Sequence, residues 1–327
     1  MKPFRMALPR TVEEAASAAT SDDAHILAGG TDLLAEIKER LAEPDLVVNL
    51  KSVPGIDEIK LTSGGLEIGA LATLTDVAND RRVLDGWPAL AKTIERAATP
   101  HIRNVGTIGG NLCQRPRCWY YRDELYPCLK KGGSRCYAQD GENEFHAIFD
   151  NGMCAATHPS NTAPVLMAYD AHIDLVGPKG TRSMALEEFF TRVNQNIRAE
   201  NVLQPGEVLV RIRVPRAAKG SSTGYVETRE KQSFDWSVCG TTVRLDVADG
   251  RVKDARVVLS AVAHRPWRRP ELEEMLRGKK VDDGLSRRVA AAAAEGATPL
   301  EHNKHKVALL KATTRRAIVE AWEGATR

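Results

Sequence analysis

Apolar and polar positions change period several times along the chain, and the changes divide it into blocks. Helix-favouring Glu and Ala fill residues 11–19 after Pro9, and Ala24-His25-Ile26-Leu27-Ala28 reads as a short strand. Gly29-Gly30-Thr31-Asp32-Leu33-Leu34 follows, where that strand ends in paired glycines and a helix over 32–41 begins. Leu46-Val47-Val48-Asn49-Leu50 is a second buried strand, so the strand-helix-strand order predicts a small α/β unit up to about Pro54. Residues 56–61 and 66–71 pair as strands across Ser63-Gly64-Gly65. Helices are expected over 75–79 and 87–97, where Leu90, Ile94 and Ala97 recur at helical spacing. An extended stretch over 99–105 then leads into a second glycine turn, Thr107-Ile108-Gly109-Gly110-Asn111.

Further on, 163–169 reads as a helix and His172-Ile173-Asp174-Leu175-Val176 as a strand, and the turn Pro178-Lys179-Gly180 marks a domain edge. Period-two alternation in 206–215 and 225–229, helix or strand over 238–247 and a strand over 255–262 predict an antiparallel sheet. Helices over 270–276, 284–294 and about 304–322 close the chain. The fold class expected is α+β: a small α/β unit (1–54), a larger α+β unit (55–178) and a C-terminal α+β domain (179–327). A length of 327 residues fits two or three such units.

Composition narrows the function classes. Apolar residues make up 43% and charged residues 27%, a globular balance, and a net charge of +3 gives no basic footprint for nucleic acid or an anionic membrane. No apolar run approaches the roughly 20 residues that cross a bilayer. Met1-Lys2-Pro3-Phe4-Arg5 lacks a signal peptide's apolar core, so the expectation is a soluble cytoplasmic protein, with export on a partner's signal left open.

Two features carry chemistry. Each glycine turn meets a helix start, where glycines can take positive φ and first-turn N–H groups lack partners, so each could hold a phosphate; the alternative is a tight turn with Thr31 as helix cap. Two such turns about eighty residues apart fit two sides of one extended phosphate-bearing cofactor. Five of the six cysteines, Cys113, Cys118, Cys128, Cys136 and Cys154, follow with spacing C-x4-C-x9-C-x7-C-x17-C. These gaps are wider than the tight pairs of zinc fingers and suit a bulkier iron-sulfur cluster, which takes four thiolates and leaves one spare. Buried free thiols, a disulfide and zinc remain alternatives. Six basic residues between Cys113 and Cys136 (Arg115, Arg117, Arg122, Lys130, Lys131, Arg135) against Asp123 and Glu124 would offset a cluster's negative charge. Cys239, alone in an apolar run, is expected to be an inert core residue.

The two glycine turns, together with His158-Pro159-Ser160-Asn161-Thr162-Ala163-Pro164, Leu203-Gln204-Pro205-Gly206-Glu207 and Phe234-Asp235-Trp236, resemble the FAD-binding medium subunits of the molybdenum hydroxylases, the xanthine dehydrogenase and carbon monoxide dehydrogenase superfamily. The resemblance covers the whole chain. Most members lack the cysteines. The insert at about 113–157 is similar to that of 4-hydroxybenzoyl-CoA reductase and the bacterial trimeric aldehyde oxidoreductases, whose medium subunits carry an additional [4Fe-4S] cluster. Ala261-Val262-Ala263-His264-Arg265-Pro266-Trp267-Arg268 resembles the aldehyde oxidoreductase group more closely.

The resemblance implies a two-part FAD-binding domain, then an antiparallel sheet with helices. It implies FAD contacts from Ala28, Gly29, Gly30, Thr31, Asp32 and Leu33, and from Thr107, Gly109, Gly110 and Asn111, with Leu209 against the isoalloxazine ring. Asn161 stands where many relatives have Asp, and Glu227 near where many have Lys. Cys118, Cys128, Cys136 and Cys154 become the cluster ligands and Cys113 the spare. Implied partners are a molybdenum cofactor-binding large subunit and a small [2Fe-2S] subunit, with substrate chemistry on the partner, so no catalytic acid or base is named here. His158, beside a cofactor loop, is read as a structural histidine. The rival from another class is a zinc-stabilised binding module without redox activity; a stand-alone flavin oxidase is a second enzyme reading.

Overall fold

A computed structural model describes residues 1–232 and 234–326. Three sheets carry the fold. The first is parallel, with β1 (Arg5–Ala7), β2 (Ala24–Leu27) and β3 (Leu46–Asn49) in the order β1-β3-β2. The helix Val12–Ala18 buries Ala15 and Ala16 beneath it, and Thr11 caps that helix by accepting the Glu14 N–H at 3.1 Å. After β2 the helix Leu33–Lys38 is shorter than its pattern promised. Arg40 takes a left-handed φ of 55°, and the Leu41 N–H turns back to the Glu36 carbonyl at 2.8 Å, a Schellman stop.

The second sheet is antiparallel and five-stranded. It holds β4 (Ile59–Thr62), β5 (Gly65–Gly69), β6 (His172–Gly177), β7 (Gly180–Ala185) and β8 (Val208–Pro215) in the order β4-β5-β8-β6-β7. Its inner face presents Leu66, Ile68, Ile173 and Ile212 to Leu90, Ile94, Ile108, Leu112 and Leu166 from the helices Pro88–Arg96, Ile108–Cys113 and Thr162–Ala168. The third sheet, β12-β11-β10-β9, comprises β9 (Ser221–Thr228), β10 (Cys239–Ala248), β11 (Arg251–Ser260) and β12 (Trp267–Arg268). Asp249 and Gly250 both have positive φ, as the tight β10–β11 hairpin requires. The long helix His305–Ala325 lies so close over β9 that a Cβ on Gly224 would meet the Ala317 carbonyl at 2.2 Å. Cys239 is fully buried in this core.

Two expectations change. Residues 99–105 are not extended: Pro100 opens a helical turn, Pro100–Arg103, and the Thr99 hydroxyl caps it at the Ile102 N–H. Nor is Pro178 a domain edge. It sits in the β6–β7 hairpin, and β8 inserts between β5 and β6, so the middle unit runs on to Pro215. No helix among the described residues is long and apolar enough to cross a membrane.

Candidate cofactor clefts and the cysteine insert

The first turn leaves β2 through Gly29 and Gly30, the latter at φ +80°. A Cβ on Gly29 would lie 2.3 Å from the Val105 carbonyl, so the two glycine turns pack directly together and admit no side chain between them. Among the described residues, the N–H groups of Gly29 to Leu33 donate to no backbone or side-chain acceptor. They open on a cleft of about 410 Å³ whose walls include Ala28, Gly29, Gly30, Thr31, Asp32, Leu33, Thr107, Gly110, Asn111 and Asn161. Unpaired amides at a helix start favour an anion there.

The second turn differs from expectation. Its Ile108 and Gly109 N–H groups bond to the Ala72 and Ala70 carbonyls, each at 2.9 Å, and the Thr107 hydroxyl takes the Gly110 N–H at 3.1 Å. Gly109 faces β5's end, where a Cβ would come within 2.8 Å of the Ala70 Cβ; it does not line the cleft and serves packing. Asn111 supplies the polar group instead. Its Oδ1 accepts from the Ser160 and Thr162 hydroxyls, both at 2.7 Å, and the residue lines the cleft. Leu209 also departs from the cleft: it is buried in the middle sheet's core opposite Leu175. Asn161 donates to the Glu227 carboxylate at 3.4 Å, and Arg229 pairs with the same carboxylate.

Asp32 lines the cleft but spends its carboxylate on the insert. It accepts from the Arg115 amide at 2.7 Å, from Arg117 at 2.5 Å and from Arg122 at 2.8 Å. Burial raises its pKa, and Arg117 and Arg122 outweigh that, holding it below the usual carboxylate range. One turn on, buried Glu36 accepts from the Tyr121 hydroxyl at 2.8 Å, and burial, with Asp32 nearby, raises its pKa. Arg115 also pairs with buried Glu200. Arg135 lies over the Tyr137 ring and Lys131 donates to the Asp123 carbonyl. The basic run is thus mostly an attachment of the insert to the helix Leu33–Lys38 and to Glu200, rather than a charge balance for a cluster. Lys130 is the exception. Buried against Glu200, it donates to the Ile197 carbonyl at 2.8 Å and His264 Nε2 at 2.9 Å, and its charge acts on Cys154.

Cys118, Cys128 and Cys136 each stand immediately before a short helical turn: Trp119–Arg122, Leu129–Lys131 and Tyr137–Gln139. Such positions gather first-turn amides near the sulfur. The amides of Tyr120 and Tyr121 favour the Cys118 thiolate without full capping geometry, and those of Ala155, Ala138 and Gln139 favour that of Cys136. Cys154 hydrogen-bonds to Cys136, which pulls Cys136 down to about 6 and pushes Cys154 up. Burial, and the charges of Cys136 and Cys128, raise Cys118 to about 12. The four sulfurs therefore share one neighbourhood. Cys113 does not: it packs against the main core beside the cleft, and burial alone pushes it to about 12. Among the described residues, no three His, Cys, Asp or Glu side chains converge closely enough to hold a metal ion. His146, missed in the sequence, puts Nε2 3.2 Å from the Cys118 sulfur. No spacing rule pointed to it.

A second cavity of about 200 Å³ adjoins Cys118, His146 and His158, and it shares Arg117, Asn161, Asp235 and Trp236 with the cleft. Arg117, stacked 4.8 Å over the Trp236 ring, is the wall between them. His158 accepts the Ser160 N–H on Nδ1 at 3.3 Å, its buried Nε2 has no protein partner, and burial lowers it to about 3. It is a neutral imidazole with a donor available to this cavity.

A cleft lined by two glycine turns, followed by an antiparallel sheet under a long helix, suits a phosphate-bearing cofactor. Residues 2–217 match the FAD-binding domain in molybdopterin dehydrogenase, and 225–323 the carbon monoxide dehydrogenase flavoprotein C-terminal domain. The chain belongs to this family of FAD-binding subunits of molybdenum-containing dehydrogenases. It is 33% identical over 328 residues to the aldehyde oxidoreductase FAD-binding subunit PaoB of Escherichia coli K12, covering 98% of this chain and 99% of that one. It is 28% identical to the carbon monoxide dehydrogenase medium chain of Hydrogenophaga pseudoflava, covering 98% and 97%. A solved carbon monoxide dehydrogenase from that organism superposes with a TM-score of 0.79 at 26% identity over 99% of each chain.

Proposed function

We propose that this chain is the electron-transfer subunit of a molybdenum-dependent hydroxylase or dehydrogenase, holding FAD in the larger cleft and a [4Fe-4S] cluster on Cys118, Cys128, Cys136 and Cys154. The observation that carries it is the pairing of a cleft lined by free first-turn amides with four neighbouring thiols, the first of which, Cys118, directly follows the cleft's Arg117 wall. FAD exchanges electrons in pairs or singly, and a cluster exchanges them singly. The chain's own task is positional. Gly29 to Leu33 present N–H groups to the pyrophosphate, and Asn111 adds its amide from the other side. The Asp32–Arg117 and Asp32–Arg122 pairs hold the insert against that turn. Four thiols spaced more widely along the sequence than the tight pairs of zinc fingers, with backbone amides directed at Cys118 and Cys136, suit a cluster better than zinc. Substrate oxidation or reduction, on an aldehyde, aromatic or purine-like compound, belongs to a molybdenum-binding partner, with a small [2Fe-2S] chain between them. A cytoplasmic complex fits this reading, and the chain calls for neither nucleic acid nor a membrane.

Iron analysis tests the ligand set. Cys128→Ser should lose most iron while keeping flavin, and Cys113→Ser should keep both. Equal loss in the two variants overturns the assignment, and a colourless parent protein with stoichiometric zinc supports the rival binding module.

A further inference from the structure

The insert has a polar group near its sulfurs that neither the glycine cleft nor the thiols account for: the His146 imidazole, 3% exposed, with Nε2 3.2 Å from the Cys118 sulfur. Its place is fixed on every side. The His146 N–H donates to the Asn143 carbonyl at 3.0 Å. Its own carbonyl accepts from Lys306 Nζ at 2.9 Å and Asn303 Nδ2 at 3.2 Å. Lys306 is fully buried at the start of the long C-terminal helix, and its other two donors go to the Phe145 and Ala261 carbonyls, at 3.0 and 2.7 Å. The ring itself stands edge-on to Trp119 with centroids 4.9 Å apart. The C-terminal domain thus holds a ring that points back into the insert.

The tautomer follows from the partners. A neutral imidazole has one N–H, and a buried N–H without an acceptor is costly. Nδ1 of His146 is buried and makes no well-formed hydrogen bond, since the one carbonyl near it, that of Asn143, already takes the His146 backbone N–H; a proton on Nε2 faces sulfur. A thiolate is a better acceptor than a thiol, and metal ligation requires Cys118 as the thiolate.

We propose that His146 donates an Nε2–H hydrogen bond to the Cys118 thiolate and thereby raises the reduction potential of the cluster bound there. This rests on the cluster reading above. One-electron reduction adds a negative charge that spreads onto the ligand sulfurs, and an N–H dipole fixed toward one of them stabilises the reduced form more than the oxidised one. His146 is accordingly a positioning residue that tunes the cluster, placed by Lys306 and Asn303.

The test uses the protein purified with its partner chains, titrated with dithionite under EPR while following the signal that Cys128→Ser abolishes. His146→Phe should keep parental iron and flavin and move the midpoint to a more negative potential. His146→Gln retains an N–H donor and should recover part of that shift. Full iron with an unmoved or more positive midpoint in His146→Phe overturns the proposal. If His146→Phe fails to load iron, His146→Gln decides: parental iron with a midpoint at or slightly below the parent's supports donation, and iron loss in both makes the ring a ligand or a prop and overturns it. A parent protein without iron is read before any variant is made, and sinks the cluster reading and this inference together.

Discussion

Gly109 and Gly110 are neighbours whose missing side chains do different jobs. At Gly109 a Cβ runs into Ala70, so Gly109→Ala is an overpacking change worth about 1–3 kcal/mol. At Gly110 a Cβ meets the Thr107 hydroxyl at 2.9 Å and, in ordinary contact at 4.0 Å, the Ala28 Cβ, and beyond them is the cleft. Gly110→Val is therefore expected to lower the melting temperature by no more than a few degrees, and to cut the flavin-to-protein absorbance ratio at least tenfold. A folded Gly110→Val protein with full flavin would remove the second turn from the cofactor site. The motif Thr107-Ile108-Gly109-Gly110-Asn111 was readable as a cofactor turn, but the division of labour was not. It depends on Ala70, at the end of a strand some forty residues earlier, whose carbonyl consumes the Gly109 N–H. Leu209, which the resemblance set against the isoalloxazine ring, is buried opposite Leu175 and is not part of the cleft wall; the strand's alternation says that it is buried, not which layer it is buried in.

At the scale of elements, the helix Leu33–Lys38 is the joint between the flavin cleft and the cysteine insert. Asp32 at its start and Glu36 a turn later receive Arg115, Arg117, Arg122 and Tyr121 across more than eighty residues of sequence. That distance is why the basic run could be read only as charge in search of a partner. Removing one member of a largely buried ion-pair group leaves the others desolvated and unpaired, a loss of about 3–5 kcal/mol when burial is complete and less at this partly exposed site. Asp32→Asn should thus loosen both ends of the joint. Flavin fluorescence is expected to appear, and iron to be released, at lower urea concentration than in the parent, with the two transitions still coincident. Release of both at the parental midpoint would show that the joint does not hold the cofactors.

For the whole molecule, local periodicity located most of the strands, missing β1, β7 and β12 and leaving β10 open between helix and strand, while their assembly depended on pairings that no window contains. β8 alternates plainly, yet nothing in its residues says that it returns to lie between β5 and β6, and so the edge placed at Pro178 falls inside a hairpin. The three sheets divide the work. The parallel sheet and the middle sheet present the two glycine turns, and the third sheet with the helix His305–Ala325 supports the insert from behind through Lys306 and Asn303. The larger cavity is lined by the two glycine turns and the smaller adjoins Cys118 across the Arg117 wall, and in this family of multi-subunit oxidoreductases catalysis lies on the partner subunit. The chain by itself should therefore fail to hydroxylate or reduce aromatic aldehydes, purines or aryl-CoA thioesters, even when loaded with flavin and iron and supplied with an artificial acceptor. Adding a molybdenum-binding chain and a [2Fe-2S] chain should restore turnover. Sustained turnover of any such substrate by this chain alone would contradict the subunit reading, because the electrons would then have to reach the flavin from a substrate bound directly in these clefts.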